Sequence, residues 1–150
     1  MRPPKGLYEI EDEITVDAAV ETVMAKIRDA TSWPRWQSEI RSVSGPRKIE
    51  VGDEVTGEAR FAGFDVEGVS LARKVDDTVF VEDVTVGVRM QIFYEVSRSG
   101  SATVIRHRLE ANLPGGPLGS VLSLLLKRRL RKMQKRLLRR LGAQASEGSA

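Results

Sequence analysis

The feature that most limits the possible folds is a succession of short strand-like segments that ends in one long helical segment. In several of these segments apolar side chains recur at every second residue, which is the period of a half-buried strand. The segments are Val43 and residues 55–61, 66–75, 79–86, 88–96 and 102–113, and the helical segment is 118–141. Short turn signals rich in glycine, aspartate and serine separate them. Strands joined in this way pair antiparallel, so the sequence predicts a meander followed by a helix.

Two further segments precede this meander. Residues 8–16 alternate apolar and polar side chains and predict a first strand. Apolar residues at helical spacing predict a short helix over 20–27, and Pro34 suits the first turn of a second helix over 33–40. The predicted fold class is α+β: a curved antiparallel sheet of about seven strands, two short helices and a long C-terminal helix. Because one helix seldom fills the concave face of such a sheet, we expect a cavity between them.

Length and composition predict one domain. A chain of 150 residues that is 41% hydrophobic and 30% charged fits a single compact core. We assign residues 8–141 to this domain, residues 1–7 to a flexible N-terminus and residues 142–150 to a flexible tail of small and polar residues. No secretory signal precedes the first strand, and no apolar stretch approaches the length of a membrane span. The sequence therefore predicts a cytoplasmic protein.

The counts of cysteine and histidine exclude several kinds of site. Without cysteine there is no disulfide scaffold, no thiolate nucleophile and no zinc site that needs sulfur. A single histidine, His107, excludes metal sites built on two or three histidines. We predict no metal and no cofactor.

The distribution of charge is uneven. Residues 1–117 hold 15 Lys and Arg against 20 Asp and Glu, whereas residues 118–141 hold nine basic residues and no acidic one. The helix dipole favours cations in the last turn alone, so it does not explain nine of them over 14 residues. The alternatives are a solvated face, docking of residues 127–140 to an anionic membrane surface, and nucleic-acid binding. The segment lacks aromatic residues, which makes nucleic acid the weakest alternative.

The order of elements and the segment Ser-Trp-Pro-Arg-Trp at residues 32–36 resemble the START-like (SRPBCC, helix-grip) superfamily, in its polyketide cyclase/dehydrase and lipid-transport branch. Residues 14–23 are similar to that family's first strand and first helix. Residues 102–104 and the Gly/Pro turn before the Leu/Arg-rich helix are similar to its end. The resemblance covers about residues 8–141. It implies a helix-grip fold whose cavity accepts an apolar ligand, in a family that includes lipid carriers and aromatase/cyclases.

His107 is the candidate for chemistry, because histidine is the side chain that titrates nearest to neutral pH. The apolar residues of its strand share its parity, so its side chain should face the helix, in or beside the cavity. It could anchor a ligand or act as a general acid/base, and the alternative is a core histidine hydrogen-bonded to a neighbour. The predicted ligand-binding residues are Trp33, Trp36, Phe61, Met90, Ile92, Tyr94, Ile105, His107, Leu109, Leu122, Leu125, Leu126 and Met133. The parity of residues 66–75 and 79–86 is ambiguous, and we predict no inward side chain from either segment.

These observations lead to three hypotheses of function. The first is a module that binds a small hydrophobic molecule, such as a lipid or a polyketide-like compound, in the cavity. The second is an aromatase/cyclase-type enzyme in which His107 transfers protons. The third is docking to a membrane or nucleic-acid surface through the basic helix. The sequence indicates no oligomeric state.

Overall fold

The computed structural model describes residues 7–61, 63–113 and 116–148, with all their side chains except those of residues 61, 116–120 and 148. The strands are β1 (Leu7–Val16), β2 (Ile40–Ser44), β3 (Glu54–Phe61), β4 (Phe64–Val75), β5 (Val79–Thr85), β6 (Arg89–Ser99) and β7 (Ala102–Asn112). The helices are α1 (Val20–Arg28), α2 (Trp33–Trp36) and α3 (Gly116–Gly148), with a 3₁₀ turn at Ala30–Ser32. The predicted order of elements is confirmed, although α2 ends four residues before the predicted Ile40.

The seven strands form one antiparallel sheet in the order β1-β7-β6-β5-β4-β3-β2. Strands β2 to β7 follow one another as a meander, and β1 pairs with the last of them, with Ile10 opposite Leu109. The register shifts between β2 and β3 near Ile40 and between β4 and β5 near Ala72. Such irregularities bend and twist a sheet, which helps it to curve around its helical cover. The predicted α+β helix-grip architecture is confirmed.

The buried core lies between the sheet and the helices. The sheet contributes fully buried side chains such as Tyr94, Ile105 and Leu109 to this core, and the helices contribute Ile27 and Leu130. Helix α3 packs mainly on β1, α1 and α2, so it crosses the sheet at the β1 edge. The opposite edge, formed by β2 and β3, is covered less completely.

The C-terminal boundary of α3 corrects the predicted tail. The helix runs to Gly148, whereas the sequence indicated an end at Leu141 followed by flexible residues. Ala145 is fully buried, and a Cβ on Gly142 would lie 2.7 Å from Cγ1 of Val16. The small residues that suggested a frayed tail therefore let the last turns of α3 lie close against β1.

The described part of α3 corrects the predicted cavity lining. Leu122 and Leu125, predicted to bind a ligand between sheet and helix, are 52% and 51% exposed, and Leu126 is half-buried. The residues that pack inward are Leu130, Met133, Gln134, Leu137, Leu138, Leu141 and Ala145. Among the side chains of α3 that the structure describes, the buried stripe thus begins at Leu130, and the helix packs mainly on β1, α1 and α2. Among the described helices, none combines the length and the apolarity needed to cross a membrane.

Ending the chain after Leu141 tests the correction of the tail. We expect the free energy of unfolding to fall by about 1–3 kcal/mol, since the burial of Ala145 and the last turns of the helix are lost. A control that ends after Glu147 should stay within about 0.5 kcal/mol of the full chain. Urea unfolding followed by circular dichroism measures both. Equal stability of the two truncated proteins would show that residues 142–147 are a dispensable tail.

Candidate ligand-binding cleft

An apolar cleft lies under the β2–β3 side of the sheet, where α3 covers it least. Its walls come from β2 to β6, with Trp33 of α2 and with Met133 and Leu137 of α3. It encloses about 710 Å³ between atoms, including its open mouth, but the centre of a water molecule can reach only about 90 Å³ of this space. The cleft is therefore a narrow slit.

Small side chains keep the cleft open. Gly57 and Ala59 of β3 lie opposite Gly68 and Val66 of β4 in the register, and three of these positions carry little or no side chain. At Gly57 a Cβ would lie 2.2 Å from the carbonyl oxygen of Ser42, so glycine also permits the close approach of β2.

Aromatic side chains fill the adjoining half of the interior. Tyr94 makes edge-to-face contacts with Trp36, Phe80 and His107, at ring-centroid distances of 6.1, 6.0 and 4.9 Å. Phe80 in turn contacts Trp33 at 6.5 Å. Both indoles are anchored: Trp33 Nε1 donates to the Ile27 carbonyl at 2.9 Å and Trp36 Nε1 to Ser32 Oγ at 3.0 Å. This packed block fills the interior beside the cleft, and Trp33 is the member of it that lines the cleft.

The predicted site residues divide into three groups. Those that line the cleft are Trp33, Met90, Ile92 and Met133. Those buried in the packed interior beside it are Trp36, Tyr94, Ile105, His107 and Leu109. Leu122, Leu125 and Leu126 do not line the cleft, and the side chain of Phe61 is outside the described residues. The structure thus brings four of the predicted residues together around open space.

His107 is held as a neutral core residue. Its Nδ1 lies 2.9 Å from Gln134 Nε2, which also lies 3.1 Å from the His107 carbonyl oxygen. An amide nitrogen between acceptors donates, so Nδ1 accepts and the ring proton sits on Nε2, which has no described partner. Burial lowers the pKa of His107 to about 3. Asp12, directly opposite on β1, accepts instead from the Glu13 amide. These contacts favour the core-histidine alternative over acid/base chemistry.

Glu82 of β5 is the functional candidate that the sequence analysis missed. Its side chain is 3% exposed and lines the cleft together with the buried Ser70. Burial raises the pKa of Glu82 to about 8, so its carboxyl group is protonated at neutral pH. Phe80, Glu82 and Val84 share the inner face, but Val81 is also buried on the other face, which is why the parity of this strand was ambiguous.

The buried polar groups give the cleft a specific chemistry. A protonated carboxyl group donates one hydrogen bond and can release a proton. Beside Glu82, the Tyr94 hydroxyl has no described hydrogen-bond partner, and its pKa is raised by burial and by the charge that Glu82 takes when ionised. Among the described residues no three His, Asp or Glu side chains converge to hold a metal ion. The cleft can therefore offer an uncharged donor to an apolar molecule.

Comparison with known proteins places the fold. The family model described as polyketide cyclase/dehydrase and lipid transport matches residues 8–146. The structure of the protein TTHA0849 from Thermus thermophilus has a TM-score of 0.82 at 16% identity, covering 95% of this chain and 100% of that one. The Zhui aromatase/cyclase from Streptomyces sp. R1128 has a TM-score of 0.80 at 13% identity, covering 93% of this chain and 93% of that one. A START superfamily protein from Mycobacterium smegmatis has a TM-score of 0.69 at 14% identity, covering 89% of this chain and 96% of that one. Among curated proteins, none matches the sequence.

Glu82 and His107 together predict how stability depends on pH. Between pH 4.5 and 8 the folded chain holds one more proton at Glu82 than the unfolded chain, so stability falls as the pH rises. Between pH 3 and 6.5 the unfolded chain holds one more proton at His107, so stability rises with pH. The two slopes cancel from pH 4.5 to 6.5. Above this plateau, up to pH 8, Glu82 alone should lower the free energy of unfolding by about 2 kcal/mol.

Urea unfolding of the wild type and of Glu82→Gln across this range tests the assignment. In the variant the free energy of unfolding should no longer fall above pH 6.5. It should rise as the pH increases from 4.5 to 6.5, because the titration of His107 then acts alone. Glu58→Gln, which changes an exposed carboxyl group on the same cleft, is the matched control and should keep the wild-type profile. A wild-type stability that is constant from pH 6.5 to 8 would show that Glu82 is ionised in the folded protein.

Proposed function

This chain belongs to the polyketide cyclase/dehydrase and lipid transport family, and we propose on that premise that its cleft binds a small, flat, largely apolar molecule carrying a hydrogen-bond acceptor. The observation that carries this proposal is an open apolar slit with one buried, protonated carboxyl group on its wall. Removal of apolar surface from water drives such binding by about 25 cal/mol per Å². The protonated Glu82 orients the ligand by donating a hydrogen bond to its acceptor atom.

The shape of the slit favours flat or extended ligands. Ligand sites commonly enclose about 300–1,000 Å³, whereas the centre of a water molecule reaches only about 90 Å³ of this cleft, so a ligand has to widen it. Since little of its volume lies farther than one water radius from a wall, a bulky ligand would have to push the walls apart. A fused-ring or extended-chain molecule, such as a lipid or a polyketide-like compound, fits with less displacement of Met133 and Leu137.

Glu82 favours an uncharged acceptor over a charged one. A carboxylate ligand would gain a hydrogen bond from the protonated side chain but would itself be buried against apolar walls without a counter-charge. A ketone or hydroxyl oxygen makes the same hydrogen bond at a much lower cost of desolvation. Glu82 thus favours apolar molecules that carry an uncharged acceptor atom.

The second candidate function is an aromatase/cyclase-type enzyme, and the property of Glu82 that favours it is a pKa of about 8. A group that titrates near neutral pH can donate a proton to a ligand carbonyl and take one back. Glu82, which lines the cleft, is better placed for that role than His107, which does not. Binding without turnover of a polyketone substrate would leave the binding module as the function.

Filling the slit at Gly68 tests the binding site. A Cβ at this position would make ordinary contacts of 3.6 and 3.8 Å with Val86, so a side chain begins here without a clash, and the γ-methyl groups of Gly68→Val should occupy the cleft. We expect its affinity for the tricyclic probe 9-fluorenone, followed by isothermal titration calorimetry, to fall at least about tenfold relative to wild type.

Glu67→Val is the matched control, because it adds the same side chain to the exposed face of the neighbouring position on β4. It should bind the probe as the wild type does. Unchanged affinity in a folded Gly68→Val protein would place the ligand elsewhere. Native mass spectrometry after incubation with a cell extract should likewise show an adduct with the wild type and none with Gly68→Val.

A pair of probes that differ in one acceptor tests the role of Glu82. At pH 6, 9-fluorenone should bind about 2–10-fold more tightly than fluorene, which lacks the carbonyl oxygen, because of one hydrogen bond. The preference should disappear at pH 9, where Glu82 is ionised and no longer donates. In Glu82→Gln the amide still donates, so the preference should persist at both values of pH. Equal binding of the two probes at pH 6 would show that Glu82 does not contact the ligand.

A further inference from the structure

Helix α3 has an outer face that its packing leaves uncovered. Two stripes of side chains run along the described part of the helix. They are offset by two residues in the sequence, which places them about 200° apart around the helix axis, on opposite sides. The inner stripe, which packs on the rest of the protein, is Leu130, Gln134, Leu137, Leu141 and Ala145. The outer stripe is Val121, Leu125, Arg128, Lys132, Lys135 and Arg139, and all six are exposed. The outer stripe begins with apolar residues and continues with cations.

The outer stripe and its flanks are densely apolar where the stripe begins. Val121 and Leu125 of the stripe and Leu122 and Leu124 beside it, which together we call the apolar segment, are 64%, 51%, 52% and 54% exposed. Single exposed apolar residues are ordinary on protein surfaces, but four within five residues form a contiguous patch. Such patches mark contacts with another surface.

The cationic part of this face is largely unpaired. Of the nine cations of α3, Arg131 Nε donates to Tyr8 Oη at 2.9 Å and Lys127 Nζ lies 5.3 Å from the centre of the same ring. Arg136 lies 3.7 Å from a carboxylate oxygen of Glu39. The other six, which we call the cationic segment, form no ion pair with any side chain that the structure describes: Arg128, Arg129, Lys132, Lys135, Arg139 and Arg140. All six are exposed, so their charge is available to a partner.

We propose that the outer face of α3 docks on the surface of an anionic lipid bilayer. In this arrangement the helix lies near the membrane plane, with the apolar segment at the boundary between headgroups and acyl chains. The cationic segment, which extends about 18 Å along the helix axis, then lies over lipid phosphates. The inner stripe remains packed on the sheet, so docking requires no unfolding of α3.

The combination of the two segments selects a bilayer over other partners. A second copy of this chain would cover the apolar segment, but a symmetric pairing of outer faces would also bring unpaired cations together. Nucleic acid would neutralise the cationic segment but would leave four exposed apolar side chains without an apolar contact. An anionic bilayer satisfies both segments, because it offers negative headgroups beside an apolar interior.

Two variants separate the contributions. Leu122→Gln/Leu125→Gln removes the apolar contact while retaining good helix-forming residues. Lys132→Glu/Lys135→Glu reverses charge at two exposed positions. The controls are Val51→Gln, at another exposed apolar residue, and Arg47→Glu/Lys48→Glu, at two exposed cations outside α3. Circular dichroism and urea unfolding check that each variant folds.

Co-sedimentation of the full chain with vesicles of phosphatidylcholine and phosphatidylserine measures docking. We expect wild type and both controls to bind these vesicles and to bind pure phosphatidylcholine at least about tenfold more weakly, since each basic residue near an anionic surface is worth about a factor of five. Binding should weaken as salt rises from about 0.05 to 0.5 M. Each α3 variant should lose at least about tenfold in partition coefficient.

Three results would overturn the proposal. The first is an absence of binding to anionic vesicles at low salt. The second is a concentration-dependent dimer in analytical ultracentrifugation that Leu122→Gln/Leu125→Gln abolishes while vesicle binding is unchanged, since a second copy would then cover the apolar segment. The third is binding to duplex DNA or RNA that depends on Lys132 and Lys135 in a protein that does not bind vesicles.

Discussion

The rest of the structure depends on how the second half of α3 is fastened to the first and last strands of the sheet. Gln134 Nε2 lies within 3.3 Å of the Ile10 carbonyl oxygen and within 3.1 Å of the His107 carbonyl oxygen, and it also contacts the His107 ring. Because a buried amide is costly without partners, these contacts fix both the rotation and the axial position of the helix. The helix is thereby fastened at the β1–β7 edge, and the space near β2 and β3 stays partly open.

The fold could be predicted from the sequence because alternation and turn signals are local properties of each strand. The boundaries and faces of α3 could not, since they depend on where the helix meets the sheet. Leucines at 122 and 125 have the hydrophobicity of core residues, yet each is about half exposed, whereas Gly142 and Ala145 resemble a tail but Gly142 lies close against β1 and Ala145 is buried. A prediction from apolar character alone therefore misplaces the contact between α3 and the sheet by two to three helical turns.

The candidate site was only partly predictable for a related reason. The inward direction of His107 follows from its apolar neighbours at the same parity, but its partner Gln134 comes from another element, and the sequence pattern does not pair them. Glu82 lies on a strand whose two faces are both partly buried, so its parity carries no clear signal. Its burial becomes visible only when β5 pairs with β6 and places Glu82 opposite Ile92.

One helix serves the cleft and the proposed membrane surface on opposite sides. Met133 and Leu137 face the cleft, while Lys132 and Lys135 lie one or two residues away on the outer face. A tilt of α3 driven by the outer face would move the cleft wall, because the two sets of side chains share one rigid backbone. The Gln134 contacts oppose such a tilt at the β1–β7 edge, so movement should be largest toward the other end of α3, where Val121, Leu124 and Leu125 are exposed. The narrow slit and these exposed apolar residues are thus two consequences of fastening the helix at one end.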